Sequence, residues 1–447
     1  MSAVAFSTAL GVWTAIGLNS FGGPAGQIAV MHRVLVEERR WISERRFLHA
    51  LNYCMLLPGP EAQQLAIYVG WLLHGWRGGM VAGVLFVLPG ALAMGTLAAL
   101  YAAFGRLAPV AAVFFGLKAA VLAVVLEAVV RIGRRVLHNG TMVVVAALAF
   151  VAIFVFEIPF PWVVIGAGSA GLVGVRLAPD AFTVVGTPDV REETAVDALL
   201  DRDIPDHARP SIGRALRTAA VWLAVWLVPL GAVVGTLGSA HVYSRIALFF
   251  SQAAAVTFGG AYAVLAYVAQ QAVDRFGWLT ASEMLDGLGL AETTPGPLIL
   301  VVEFVGFLAA WREPGTLPPL LAGILGALLT LWVTFAPCFL WIFVGAPYVE
   351  WLRGRRTLDA ALSTITAAVV GAVLNLAVWF ALHVLFGEVH TIHGVGRWLV
   401  PVWGTVRWPA VAIAAAAMVA TFHYRVGMLR VLGASALVGL GWWALVG

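Results

Sequence analysis

Two apolar stretches 237 residues apart are interrupted at matching positions by the same helix-breaking residues. The first runs from Ser20-Phe21-Gly22-Gly23 through Trp41-Ile42-Ser43 to Pro58-Gly59-Pro60, and the second from Thr257-Phe258-Gly259-Gly260 through Trp278-Leu279-Thr280 to Pro295-Gly296-Pro297. One Phe-Gly-Gly match means little in a chain with 48 glycines and 24 phenylalanines, but three anchors in one register mark an internal duplication. Glycine and proline do not sustain helical hydrogen bonding. The chain must therefore fold into something that tolerates four breaks inside apolar segments.

Hydrophobic residues make up 61% of the 447 and charged residues 11%, with a mean hydropathy of +0.93, which excludes an ordinary soluble protein. Segments of about 20 apolar residues, enough for a ~30 Å hydrocarbon core, recur along the chain. The alternation of barrel strands is absent, so helices carry the spans and the lipid bilayer is the solvent. The expected fold is an all-α polytopic membrane protein. The net charge of +4 comes from arginine, because Lys118 is the only lysine. Those arginines cluster in loops and read as orientation signals, with no nucleic-acid partner. Cys54 and Cys338 sit in apolar runs and read as buried free thiols, so neither a disulfide, a metal nor a cofactor is expected. The first apolar segment lacks a basic leader and reads as retained.

The expected organisation is a first transmembrane half over 1–177, a polar cytoplasmic linker over 178–216 and a second half over 217–447. The arms 47–57 and 61–73 flanking the first Pro-Gly-Pro are roughly 16 and 20 Å long as helices, so neither crosses the core alone. Beyond the breaks the repeat continues at an offset of 248, which pairs Pro89 with Pro337, Lys118 with Thr366 and Glu127 with Asn375.

Basic loops favour the cytoplasmic side. The link after the first Gly-Gly holds Arg33, Arg39, Arg40, Arg45 and Arg46, whereas its counterpart holds only Arg275, so the two links belong on opposite faces. Arg131, Arg134 and Arg135 mark a second cytoplasmic loop and Arg353, Arg355 and Arg356 a third. Two continuous spans separate Arg46 from Arg131, which requires the pair 47–73 to make an even number of passes. That parity favours a hairpin with Pro-Gly-Pro at its tip over one kinked span. The expectation is an inverted-topology repeat with broken or re-entrant hairpins meeting near the midplane, the plan of secondary transporters.

A helix starting at Glu61 or Leu298, directly after a proline-fixed turn, leaves its first N–H groups without acceptors and favours an anion. Ser20, Thr257, Thr293 and Thr294 lie beside the breaks, and Gly22, Gly23, Gly59, Gly259, Gly260 and Gly296 let backbone approach a ligand. This chemistry suits a tetrahedral oxyanion, with Gln63 or its neighbour Gln64 orienting it. The competing reading is that these small residues only permit close helix crossing. Lys118, inside an apolar span, either attracts the anion or pairs with Glu127 or Glu61. Glu61, Glu292 and Glu303 would repel a dianion and read as proton-accepting, pairing or gating groups. Glu127, Glu292 and Asn375 are the gating or coupling candidates. No HExxH, GxSxG or usable Cys/His cluster is present, so no enzymatic activity is expected.

Phe21-Gly22-Gly23-Pro24, Arg40-Trp41 and Leu56-Leu57-Pro58-Gly59-Pro60-Glu61-Ala62-Gln63-Gln64-Leu65, followed by Tyr68-Val69-Gly70, resemble the signature of the chromate ion transporter family. Phe258-Gly259-Gly260 and Thr294-Pro295-Gly296-Pro297 resemble the matching signature of its two-domain members. The second half departs at Ala261, where the first has Pro24, and at Leu298, where it has Glu61. The resemblance implies secondary-active export of chromate across a bacterial cytoplasmic membrane, giving chromate resistance. Sulfate or another oxyanion as substrate, and an anion channel, are the alternatives. The sequence is compatible with a homodimer and fixes no oligomeric state.

Overall fold

A computed structural model describes residues 4–21, 23–105, 107–182, 209–258, 261–348, 356–394 and 396–446. Gly22, Gly259, Gly260, Arg353, Arg355 and most of the 178–216 linker lie outside the described residues. Among those described, seven helices are long and apolar enough to cross a membrane, so the chain is an all-α polytopic membrane protein. Residues group into two compact units, one from 1–96, 185–261 and 294–355, the other from 97–184, 262–293 and 356–447. Each unit thus takes segments from both sides of the linker.

In unit one, α1 (Phe6–Asn19) and α2 (Gly23–His32) flank the first break, and α3 (Glu44–Leu56) and α4 (Glu61–Phe104, in this unit as far as Thr96) flank the first Pro-Gly-Pro. Helix α4 is not straight. His74 and Gly75 leave helical geometry, with Gly75 at φ 62°. A Cβ added at Gly78 would lie 2.1 Å from the Gly70 carbonyl oxygen, so the chain doubles back and residues 61–73 pack antiparallel on the arm that begins near Gly78. His74 Nε2 lies 2.8 Å from the Val4 carbonyl oxygen, fixing the start of α1 at this turn.

The second set of breaks is built alike. Unit one continues through α9 (Ile212–Leu237) and α10 (Val242–Ala255), then resumes after the second Pro-Gly-Pro with a 3-10 turn, α13 (Val301–Arg312) and α14 (Pro319–Gly345). Arg245 near the start of α10 pairs with Glu313. Helix α14 is about 40 Å long at ~1.5 Å per residue. Its first turns pack on Phe307 of α13, where a Cβ at Gly323 would meet the ring at 2.8 Å. Its last turns pack beside the His74–Gly75 turn, where a Cβ at Gly79 would meet Phe343 at 2.6 Å. The turns closing the two sets of arms therefore lie at opposite ends of α14.

Unit two holds α5 (Ala108–Val136), α6 (Gly140–Phe154), α7 (Phe160–Leu177) and the short α8 (Pro179–Phe182). It also holds α11 (Ala261–Gln270) from Tyr262 onward, α12 (Ala281–Thr293), α15 (Arg356–Leu385), α16 (Trp408–Phe422) and α17 (Met428–Val446). Small residues set its close crossings: Gly116 lies against the Ser435 carbonyl, Gly171 against Thr364 and Gly371 against the Ala146 carbonyl.

The segment after α15 contains a two-stranded antiparallel hairpin, β1 (Val389–His393) and β2 (Arg397–Pro401). An all-helical reading misses it because the segment is short and its partner strand is local. Arg397 anchors it: the backbone N–H donates to the Val155 carbonyl (2.7 Å), and the guanidinium reaches Glu157 and Asp274.

The two links repeat in detail. Trp41 N–H donates to the Leu35 carbonyl (2.8 Å) and Trp278 N–H to that of Ala272 (2.9 Å), both closing a short π-helical turn. Ser43 then caps α3 by accepting from Arg46 N–H (3.4 Å). Its counterpart Thr280 makes a full capping box with Glu283 ahead of α12, with bonds of 2.8 and 3.2 Å. Both indoles are buried.

Candidate functional site

The four breaks meet in pairs within unit one, through backbone. Gly59 N–H donates to the Thr257 carbonyl (2.7 Å), and Gly296 N–H donates to the Ser20 carbonyl (2.8 Å). Adding 237 to the first donor and to the second acceptor converts one bond into the other, so each half's Pro-Gly-Pro tip is tied to the other half's Gly-Gly break. Both tip glycines have positive φ, 129° at Gly59 and 89° at Gly296, where a side chain is strained. Space is short as well. A Cβ at Gly59 would sit 2.7 Å from Gln64 Nε2 and 2.9 Å from Cys338 Sγ.

Between the tips lies a narrow cleft lined by Pro24, Gln27, Pro60, Glu61, Ala62, Ala261, Pro297 and Leu298. Three pairs of these residues, Pro24 with Ala261, Pro60 with Pro297 and Glu61 with Leu298, are repeat counterparts. The cleft thus brings matching positions of the two repeats together, and two of the three pairs, Pro24 with Ala261 and Glu61 with Leu298, differ in residue. Helix α4 starts here at Glu61, while the other half opens with a 3-10 turn at Leu298–Leu300. The first N–H groups of each have no acceptor within their own helix.

The hydroxyls beside the breaks do not point donors at a ligand. Ser20 Oγ donates to the Ile16 carbonyl and Thr257 Oγ1 to that of Ala253, both at 2.6 Å and again in repeat register. Thr293 Oγ1 donates to the Leu290 carbonyl (2.8 Å). Thr294 is buried, and Gly23 opens α2 with φ 65°. Gln63 and Gln64 are both buried; Gln64 Nε2 donates to the Pro58 carbonyl (2.7 Å), and each leaves its Oε1 without a partner. Gln27, which sequence reasoning passed over, donates from Nε2 to the Gly296 carbonyl at 2.5 Å. Its signal was a lone carboxamide in an apolar arm whose repeat counterpart is Val264.

Ser20, Gly23, Gly59, Glu61, Gln63, Thr257, Thr294 and Gly296 come together in unit one, whereas Lys118, Glu127, Glu292, Thr293 and Asn375 belong to unit two. Lys118 pairs with neither Glu127 nor Glu61. Its Nζ donates to Ser282 Oγ (2.7 Å) and lies 3.3 Å from Asp286 Oδ1, and Tyr101 OH donates to Asp286 Oδ2 (2.7 Å). Asp286 went unremarked because an acidic residue in a short arm looks solvated, yet it is 4% exposed. Glu127 lies 3.5 Å from Arg131 on its own helix. Glu292 accepts from Tyr262 OH (2.6 Å) and leaves Oε2 unpartnered. Asn375 lines a cavity of about 360 Å³ with Gln270, Trp379 and Arg397. Among the described residues no group of His, Cys, Asp or Glu could hold a metal ion, and Cys54 and Cys338 are buried free thiols.

The family model described as "Chromate transporter" matches residues 8–172 and 244–440. A chromate transport protein of Pseudomonas aeruginosa is 33% identical over 360 residues, covering 80% of this chain and 76% of the relative. One from Cupriavidus metallidurans is 28% identical over 369 residues, covering 82% and 80%. A probable chromate transport protein of Synechococcus elongatus is 29% identical over 367 residues, covering 81% of each. No solved structure matches the chain at a significant level. With the family model covering both sets of breaks and most of the chain, this multi-pass membrane protein belongs to the chromate transporter family.

Proposed function

We propose that the protein is a secondary-active carrier that exports chromate across the bacterial inner membrane and so gives chromate resistance, holding the dianion in the cleft between the two Pro-Gly-Pro tips. The observation that carries this reading is the reciprocal pair of backbone bonds, Gly59 to Thr257 and Gly296 to Ser20, with the cleft lined by repeat counterparts between them. Two helix starts, one from each half, supply N–H groups and positive dipole ends to one small volume. The turns of the two sets of arms at opposite ends of α14 support an inverted repeat, in which rocking of one set against the other exposes the cleft to alternate faces. The two matched family stretches, beginning at residues 8 and 244, agree with the repeat offset to within one residue.

Glu61 is the one acidic residue lining the cleft. Its carboxylate and the dianion compete for the same helix start, which makes Glu61 a release group rather than a ligand. The potential supplies the work: moving two negative charges out of an inside-negative cell gains about 4.6 kcal/mol per 100 mV. Chromate flux in proteoliposomes, with potential set independently, tests the reading. Efflux should rise with inside-negative potential and saturate, and excess sulfate measures how far the cleft distinguishes the two dianions. Discrete single-channel currents in place of saturable turnover would defeat the carrier assignment.

A further inference from the structure

Glu303 lies in the first turn of α13, five residues after the cleft residue Leu298. It is 3% exposed, and its Oε2 has no hydrogen-bond partner. No ion pair forms with it among the described residues. The elements packed around it bring no charge: α14 has no charged residue from Pro319 to Gly345, and α4 has none from Gly78 to Thr96. On α10, Arg245 pairs with Glu313, and Tyr243 OH donates to the Ala322 carbonyl. Cys338 of α14 donates to the Thr334 carbonyl. On its own helix the nearest charge is Arg312, nine residues on.

An ionised carboxylate enclosed this way, with neither counter-charge nor donor, is too costly to keep, and the group takes a proton instead. The fold makes room for it. A Cβ added at Gly95 would lie 2.9 Å from Glu303 Oε1, so a side chain there would displace the carboxyl. The repeat counterpart of Glu303 is Ala66, so nothing in the shared architecture requires an acid at this position.

We infer that Glu303 is a proton site that loads together with the oxyanion, an inference that rests on the cleft reading above. The 3-10 turn that opens at the cleft with Leu298 runs directly into α13, which places Glu303 five residues on, roughly 8 Å along the axis. A dianion at the helix start disfavours a second negative charge on Glu303, so it holds the proton in place, and by reciprocity the proton favours the dianion. Each turnover then carries one proton outward with the dianion, moving one net negative charge rather than two.

The test uses proteoliposomes loaded with chromate and held at zero potential. Wild-type efflux should be several-fold faster from an acidic lumen than from an alkaline one. In Glu303→Gln, a neutral mimic of the loaded acid, that difference should vanish while chromate exchange at equal pH on both sides persists. A pH effect arising from protonation of chromate itself would survive in the variant and overturn the proposal, as would wild-type efflux that is fastest from an alkaline lumen. Absence of chromate exchange in the wild type would instead remove the cleft reading and this inference with it. Should Glu303→Gln fail to fold, Gly95→Ala keeps the acid but crowds it, and an unchanged pH response in that variant counts against the site. Infrared spectroscopy gives a readout free of transport: the wild type should show a protonated-carboxyl band missing from Glu303→Gln, and no missing band overturns the assignment.

Discussion

At the scale of single residues, the tip glycines and the buried ion pair make opposite kinds of demand. Gly59 and Gly296 combine positive φ with close neighbours, so a side chain meets about 1–3 kcal/mol of backbone strain before any clash. Gly59→Leu and Gly296→Leu should each abolish chromate flux in proteoliposomes while protein still reaches the membrane; full transport in either would remove the tips from the site. Lys118 and Asp286 depend on each other instead. Lys118→Met alone leaves a buried carboxylate without its cation and should destabilise by about 3–5 kcal/mol, whereas Lys118→Met with Asp286→Leu should recover much of the loss. Thermal unfolding of the two variants in detergent checks the order. Lysine in an apolar span was visible in the sequence, but its partner was not, because Asp286 lies 168 residues away and only packing of α12 on α5 joins them.

At the scale of elements, the breaks are turns with definite geometry. His74 and Gly75 fold α4 back on itself, and Gly70 and Gly78 let the two arms approach at backbone distance. Gly78→Leu should force the arms apart and lower the yield of folded protein, measured by size-exclusion chromatography of detergent extracts; a monodisperse variant at wild-type yield would refute the close packing. Ser43 and Thr280 stand in the sequence as matched register positions, and the structure gives both a capping role. The β-hairpin at 389–401 is not legible in the same way, because its strands are only five residues each and Arg397, which anchors it, finds Glu157 and Asp274 on distant segments.

At the scale of the whole molecule, the proposed inverted repeat makes a prediction about sidedness. The link at 33–43 and its counterpart at 271–280 should face opposite compartments, as their arginine contents suggest. Arg39 and Arg275 are exposed, and the native cysteines Cys54 and Cys338 are buried. In right-side-out vesicles an impermeant maleimide should label Arg275→Cys and spare Arg39→Cys, with the order reversed in everted vesicles. Labelling of both from one side would dismiss the inversion.

The sequence by itself determined the membrane class and the positions of the glycines and prolines that interrupt its apolar segments, because these follow from local properties: apolar length, the missing N–H of proline and the conformational freedom of glycine. Its resemblance to one family was carried by those same positions. Tertiary structure decided which break meets which. Ser20 and Thr257 flank the breaks in the sequence, and the folded helices take up their hydroxyl protons and leave their carbonyls to bind the opposite tips. The backbone bonds that tie Gly59 to Thr257 and Gly296 to Ser20, and the enclosure of Glu303 among uncharged helices, arise only once the chain has packed. No local pattern encodes the distance between two groups that approach from different halves.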